Sequence, residues 1–107
     1  MYNILRKKML VENIYSMDIL APRVAKSALP GQFVIVKVDE YGERIPLTIC
    51  DYHREEGSVT IVFQTLGAST KKLAALQEGE GLKDFVGPLG NPSEVVTEKK
   101  DVLMGKR

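Results

Sequence analysis

Two short stretches hold the residues best suited to chemistry. In the first, Gly67-Ala68-Ser69-Thr70 ends a strand-like run and opens a run of helix formers that begins with Lys71 and Lys72. A tight turn into a helix leaves backbone N–H groups free, and the positive end of the helix dipole lies behind them, so such a turn can hold an anion. The plainer reading is that Ser69 or Thr70 is only the N-cap of the helix, and on these residues alone it is the stronger one. The second stretch is GERIPLTICDY, residues 42–52. On a strand, Pro46 and Thr48 share one face while Ile45, Leu47 and Ile49 share the other. Proline cannot donate to a ladder, which puts Pro46 at a strand start or a sheet edge. An edge leaves backbone N–H and C=O groups free for a partner other than a strand.

Other chemistries find less support. His53 is the single histidine, in a polar turn beside Asp51 and Arg54, and reads as a surface residue. Cys50 is the single cysteine, which excludes an intrachain disulfide and reads as a small core residue. Ser69 and Thr70 have no evident base partner, and no histidine, cysteine and carboxylate cluster has metal-ligand spacing. No self-sufficient hydrolytic site is visible.

The elements that must position these residues are mostly strands. The chain has 107 residues, 44% hydrophobic and 27% charged, which fits one globular domain with a modest core. Residues 4–11, 13–20, 32–38, 45–52 and 58–66 read as strands, being rich in β-branched residues, loosely alternating, and separated by Gly, Pro and polar turns. Residues 25–28 form a brief helical turn and 71–76 the one convincing helix, with Leu73 and Leu76 on one side. A sixth strand covers 82–86, and 87–92 is a rigid, turn-rich loop. The expected fold is all-β, a six-stranded antiparallel Greek-key barrel with one short helix, spanning residues 1–97. Residues 98–107 read as a linker leading, at 101–105, into the start of a nucleotide-binding domain. No internal repeat is present. A net charge of +1 and 7% aromatics argue against a nucleic-acid surface. No run approaches the roughly 20 apolar residues of a membrane helix, the start is no secretory signal, and a reducing cytoplasm is the expected compartment.

Five motifs occur in one order: PGQFVIV at 30–36, ERIPLTI at 43–49, VFQ at 62–64, GASTKKL at 67–73 and EGEGLKDFVGPLGNP at 78–92. Together they resemble the FAD-binding domain of the ferredoxin–NADP reductase superfamily. Within it the chain is most similar to the electron-transfer subunit of dihydroorotate dehydrogenase. It is similar too to the flavoprotein subunit of the NADH-dependent ferredoxin–NADP oxidoreductase (sulfide dehydrogenase) and to related hydrogenase subunits.

The resemblance implies noncovalent FAD. It places Pro46, Leu47 and Thr48 along the flavin, with Thr48 presenting its hydroxyl and N–H towards the N5 region. Val62, Phe63 and Gln64 would line the ribityl and adenosine side, and the N–H groups of Gly67, Ala68, Ser69 and Thr70 would hold the pyrophosphate. Three residues depart from the family pattern. The motif arginine falls on Ile45, with Arg44 one position earlier and thus on the other strand face. Gln64 stands where arginine is common, and Ser69 replaces a glycine. Arg44 remains a candidate pyrophosphate contact, and Lys71 or Lys72 would supplement the clamp.

The implied function is the flavin module of an oxidoreductase subunit that passes electrons between NAD(P)H and an iron–sulfur protein or partner subunit. The NAD(P)H and [2Fe–2S] sites are expected only in a longer protein. Two other classes remain open: a cofactor-free barrel serving as an interaction module in a redox complex, and a barrel binding single-stranded nucleic acid.

Overall fold

Alternation along the strands decides how this chain folds, and β4 shows it best. In this strand (Arg44–His53) Ile45, Leu47 and Ile49 are buried while Arg44, Pro46, Thr48 and Cys50 are exposed. The same inside–outside pattern runs through β2 (Ile14–Leu20), β3 (Phe33–Lys37) and β5 (Ser58–Gln64). The remaining elements of this computed structural model, which describes residues 2–91, are β1 (Tyr2–Val11), α1 (Pro22–Ser27), α2 (Ala68–Ala74), β6 (Gly81–Leu82) and β7 (Asp84–Leu89).

The strands form one sheet in the order β6-β1-β2-β5-β4-β3-β7, and every pair is antiparallel. β3, β4 and β5 are successive neighbours, and β2 lies beside β5, the Greek-key arrangement. One chain segment closes the barrel. Gly81–Leu82 pairs with β1, the chain turns at Lys83, and Asp84–Leu89 pairs with β3. The Lys83 N–H donates to the Lys37 carbonyl at 2.9 Å, fixing the turn.

This closure explains why seven strands stand where six were expected. The run 82–86, read as one strand, is split by the bend at Lys83 because its two parts face different partners. β7 continues to Leu89, into what the sequence gives as a loop. There are also two short helices rather than one. The helical turn expected at 25–28 is α1, started by Pro22, whose fixed φ suits a first helical position. The linker and the start of a second domain expected at 98–107 lie outside the described residues.

Inward side chains from the strands make a continuous core, with Ile4, Met17, Ile19, Val34, Val36, Ile49, Val59, Ile61, Leu82 and Phe85 all at 2% exposure or less. α1 closes one end of the barrel with Val24 and Ala25. Arg54 holds it there: its guanidinium donates to the carbonyls of Ala25 at 2.9 Å, Ala28 at 3.0 Å and Lys26, and lies over the Tyr52 ring. Outside, Arg6 joins Asp18 (2.6 Å) to Glu56, while Thr60 and Ser58 donate to Asp18 and Glu56. The Arg6 contact, with help from Ser58, holds the Glu56 carboxyl down at about 2.

Candidate functional site

Among the described residues the barrel wall is open between β4 and β5, and the pairing of β4 shows where. Residues 44–48 of β4 pair with β3, but pairing with β5 begins only at Ile49. On the facing strand, Val62, Phe63 and Gln64 pair with β2 and have no β4 partner. Continuing the Ile49↔Ile61 register would set Thr48 opposite Val62 and Pro46 opposite Gln64. Two strands that belong side by side are thus parted, leaving a slot.

The backbone groups in the slot follow from hydrogen-bond parity. The Ile49 N–H donates to the Gln32 carbonyl of the β3 side at 2.8 Å. In an antiparallel pair, alternate residues turn the same way, so Leu47 and Ile45 also face β3 while Thr48 and Pro46 face the slot. Proline's missing N–H therefore removes nothing from a ladder, which is the physical reason Pro46 is tolerated inside a strand. On β5, the Thr65 N–H donates to Asn13 and the Gly57 carbonyl accepts from Ala21, both on the β2 side. Phe63 and Ile61 therefore face β2, while Val62 and Gln64 face β4. Because Ile49 and Ile61 bond away from each other, their pairing is held by the Val62 N–H donating to the Thr48 carbonyl. That leaves the Thr48 N–H, the Val62 carbonyl and the Gln64 N–H to the slot. Cys50 marks the boundary. The register shifts between Ile49 and Asp51, a bulge that brings the second half of β4 onto β5 and bends it away from the first.

The side chains divide by the same rule. Pro46, Thr48 and Gln64 are exposed and Val62 half-buried on the outer wall beside the slot. Leu47 and Phe63 point inward, Phe63 stacking on Tyr15 at 5.9 Å, and their backbone groups bond towards β3 and β2, so neither offers the slot a polar group. Cys50 is exposed rather than in the core, because it shares the face of Pro46 and Thr48. His53 is exposed, as expected. Arg44 also lies on the outer face, with its guanidinium 3.6 Å from Asp84, while Ile45 is buried.

The antiparallel arrangement brings the start of β4 and the end of β5 to one end of the slot, where α2 begins. Thr70 builds this turn: its hydroxyl accepts from the N–H groups of Leu66 (2.9 Å) and Gly67 (3.1 Å). The hydroxyl is thereby committed to the fold. The N–H groups of Ala68, Ser69 and Thr70 precede the first intrahelical bond, Lys71 N–H to the Gly67 carbonyl. Gly67 has an extended backbone, φ −146°, open to any residue, and a Cβ placed there meets nothing within 4 Å. Neither strain nor crowding in the fold explains a glycine at this point.

The sequence reading missed the other wall of this end. Ser69 donates to the Glu43 carboxylate, and Lys72 Nζ pairs with Asp39 at 2.5 Å, so the loop between β3 and β4 is fastened to α2. That contact holds the Asp39 carboxyl below the ordinary carboxylate range. The only signal available was the pair of acids flanking Gly42. Among the described residues, no group of three or more His, Cys, Asp or Glu could hold a metal, and no helix is long and apolar enough to cross a membrane.

No protein-family model matches the chain. It is 64% identical over 106 residues to an uncharacterised protein of Clostridium beijerinckii in the adh 3′ region, spanning 99% of this chain and 36% of that protein. It is 42% identical over 102 residues to a Thermotoga maritima homologue of the dihydroorotate dehydrogenase B (NAD+) electron transfer subunit, spanning 95% of this chain and 36% of that one. Among solved structures, the NADH-dependent reduced ferredoxin–NADP oxidoreductase, studied for flavin-based electron bifurcation, matches with a TM-score of 0.85 and 44% identity. The match covers 88% of this chain and 34% of that chain. The chain thus spans about a third of the length of the relatives it matches.

Proposed function

The chain belongs to the ferredoxin–NADP reductase superfamily, as a domain akin to that of the dihydroorotate dehydrogenase B electron transfer subunits, and from that premise we propose that it binds FAD noncovalently along the slot between β4 and β5. The observation that carries this reading is the slot itself. Two strand edges that belong side by side face each other unpaired, and backbone donors left without partners are costly unless water or a ligand meets them.

The residues fit the cofactor. Thr48 offers its backbone N–H and hydroxyl to the ring from β4. The Gln64 N–H and side chain face it from β5, and Pro46 keeps the β4 edge free of a competing strand. At the α2 end, the open space beside Gly67 admits a phosphate, which the N–H groups near Ser69 and Thr70 and the Lys71 ammonium would hold. Arg44 reaches the same face once released from Asp84. Leu47 and Phe63 support the two edges from inside the core. When bound, FAD would supply the redox chemistry, accepting a hydride from reduced nicotinamide and releasing electrons singly. The protein's part is to fix the ring and shield one side of it.

In this reading the chain is the flavin module of an oxidoreductase subunit working between NAD(P)H and an iron–sulfur protein or partner redox subunit. The nicotinamide and [2Fe–2S] sites lie outside these residues. The test is titration with FAD, followed by flavin absorbance and fluorescence. The wild type should retain FAD at micromolar concentration, and Thr48→Ala should weaken it by about threefold to tenfold, the worth of one hydrogen bond. A wild-type protein that retains no flavin would instead favour the cofactor-free interaction module.

A further inference from the structure

Helix α2 is too short to hold its own position. Its seven residues fall below the length at which an isolated helix is stable in water, and Leu73 is its one buried side chain. Outside groups place it from three directions. At its C-terminal end, the Lys7 ammonium donates to the carbonyls of Ala74 (2.5 Å) and Leu76 (2.9 Å). At its start, Thr70 binds the exit of β5. The third hold comes from the loop before β4, through Asp39 to Lys72 and Glu43 to Ser69. Only this third hold spans the end of the slot, joining the element that leads into the open β4 edge to the element that follows the open β5 edge.

We propose that the Asp39–Lys72 and Glu43–Ser69 contacts form a clasp that positions α2 over the end of the slot, and that the clasp selects a dinucleotide flavin over shorter flavins. The proposal rests on the flavin reading above and adds which residues set the length of the ligand. The clasp lies beyond Arg44, which is about 13 Å along the strand from Thr48. A ligand held by its ring at Thr48 reaches the clasp only through an extended tail.

The charges divide accordingly. Lys72 is committed to Asp39. Lys71, on the next position and exposed, has no partner among the described residues and is the cation left to meet phosphate. Asp39 is ionised at neutral pH, as an ordinary aspartate is, and the Lys72 contact lowers its carboxyl further. These side chains are positioning residues: they act by holding α2, and not by touching the reacting ring.

The test measures dissociation constants of riboflavin, FMN and FAD by flavin fluorescence for the wild type, Lys72→Asp, and the swapped double variant Asp39→Lys with Lys72→Asp. The wild type should bind FAD more tightly than riboflavin. Lys72→Asp should weaken FAD by about fivefold, the upper worth of an exposed ion pair, and leave riboflavin unchanged. The swap should restore FAD to within about twofold, since it rebuilds the pair with its charges exchanged. Ser69→Ala should weaken FAD selectively, whereas Glu43→Gln, which still accepts the Ser69 hydroxyl, should not. The clasp is overturned if FAD and riboflavin weaken together, if Lys72→Asp binds FAD like the wild type, or if the swap does not recover. Should the wild type bind none of the three flavins, the flavin reading itself falls, and the selection by the clasp with it.

Discussion

The two halves of β4, on either side of Cys50, pair with different neighbours and do different things. From Asp51 to His53 the strand pairs with β5. From Arg44 to Thr48 it pairs with β3 alone and turns the backbone of Pro46 and Thr48 into an open slot. The buried row Ile45, Leu47 and Ile49 lies wholly on the open side of Cys50, and beyond it Tyr52 is half-buried between exposed Asp51 and His53. The bulge at Cys50 separates the halves by changing which residues face β5, and so a barrel keeps its interior sealed while opening its wall. Stability in such a strand belongs to its inward residues and its ladder, and binding to the outward residues and free backbone of one half.

Proline substitution breaks the comparison most sharply. Leu47→Pro removes a ladder N–H and a buried side chain, and should cost more than about 3 kcal/mol in urea unfolding. Thr48→Pro, one residue on, removes only a slot-facing N–H and should cost about 1 kcal/mol. Equal costs would mean that the parity is wrong. In the closed half, Ile61→Ala leaves a cavity against Met17 and Ile49 and should cost about 2–5 kcal/mol with no selective effect on flavin. At the open end, Gly67→Val meets no atom in the fold and should change stability by about 0.5 kcal/mol or less, yet lower FAD affinity by about tenfold or more.

The smallest effect is one of pH, and it should spare the slot. The Glu56 carboxyl is held at about 2 in the folded protein against an ordinary 4.5. The unfolded chain therefore takes up this proton first as pH falls, so the contribution of Glu56 is fully present above 4.5 and lost between there and 2. Thermal unfolding over that range should show the loss, and Glu56→Gln should flatten it.

Much of this was legible in the sequence. The alternation of Ile45, Leu47 and Ile49 with Pro46 and Thr48 gave the two faces, and a proline within an apolar run marked a free edge. What escaped were features settled by distant partners. One residue of bulge at Cys50 has no local signature, and the same alternation that exposes Thr48 also exposes Cys50, against the expectation of a core thiol. Closure of the barrel at Lys83 depends on β1 and β3 competing for one segment. The Asp39–Lys72 pair joins residues 33 positions apart, and surface charges give no hint of such a partner. Arg44, one position off the family pattern, sits on the outer face and pairs with Asp84 across β3.

The central claim, that the parted edges of β4 and β5 are the flavin site, is tested most directly by residue-resolved amide NMR during titration with FAD. The Thr48 and Gln64 amides should exchange with solvent quickly in the free protein, and should shift and become protected as FAD is added, while those of Leu47 and Ile61 stay protected throughout. Thr48 and Gln64 amides that neither shift nor gain protection at saturating FAD, or shifts centred instead on the hairpin between β1 and β2, would contradict it.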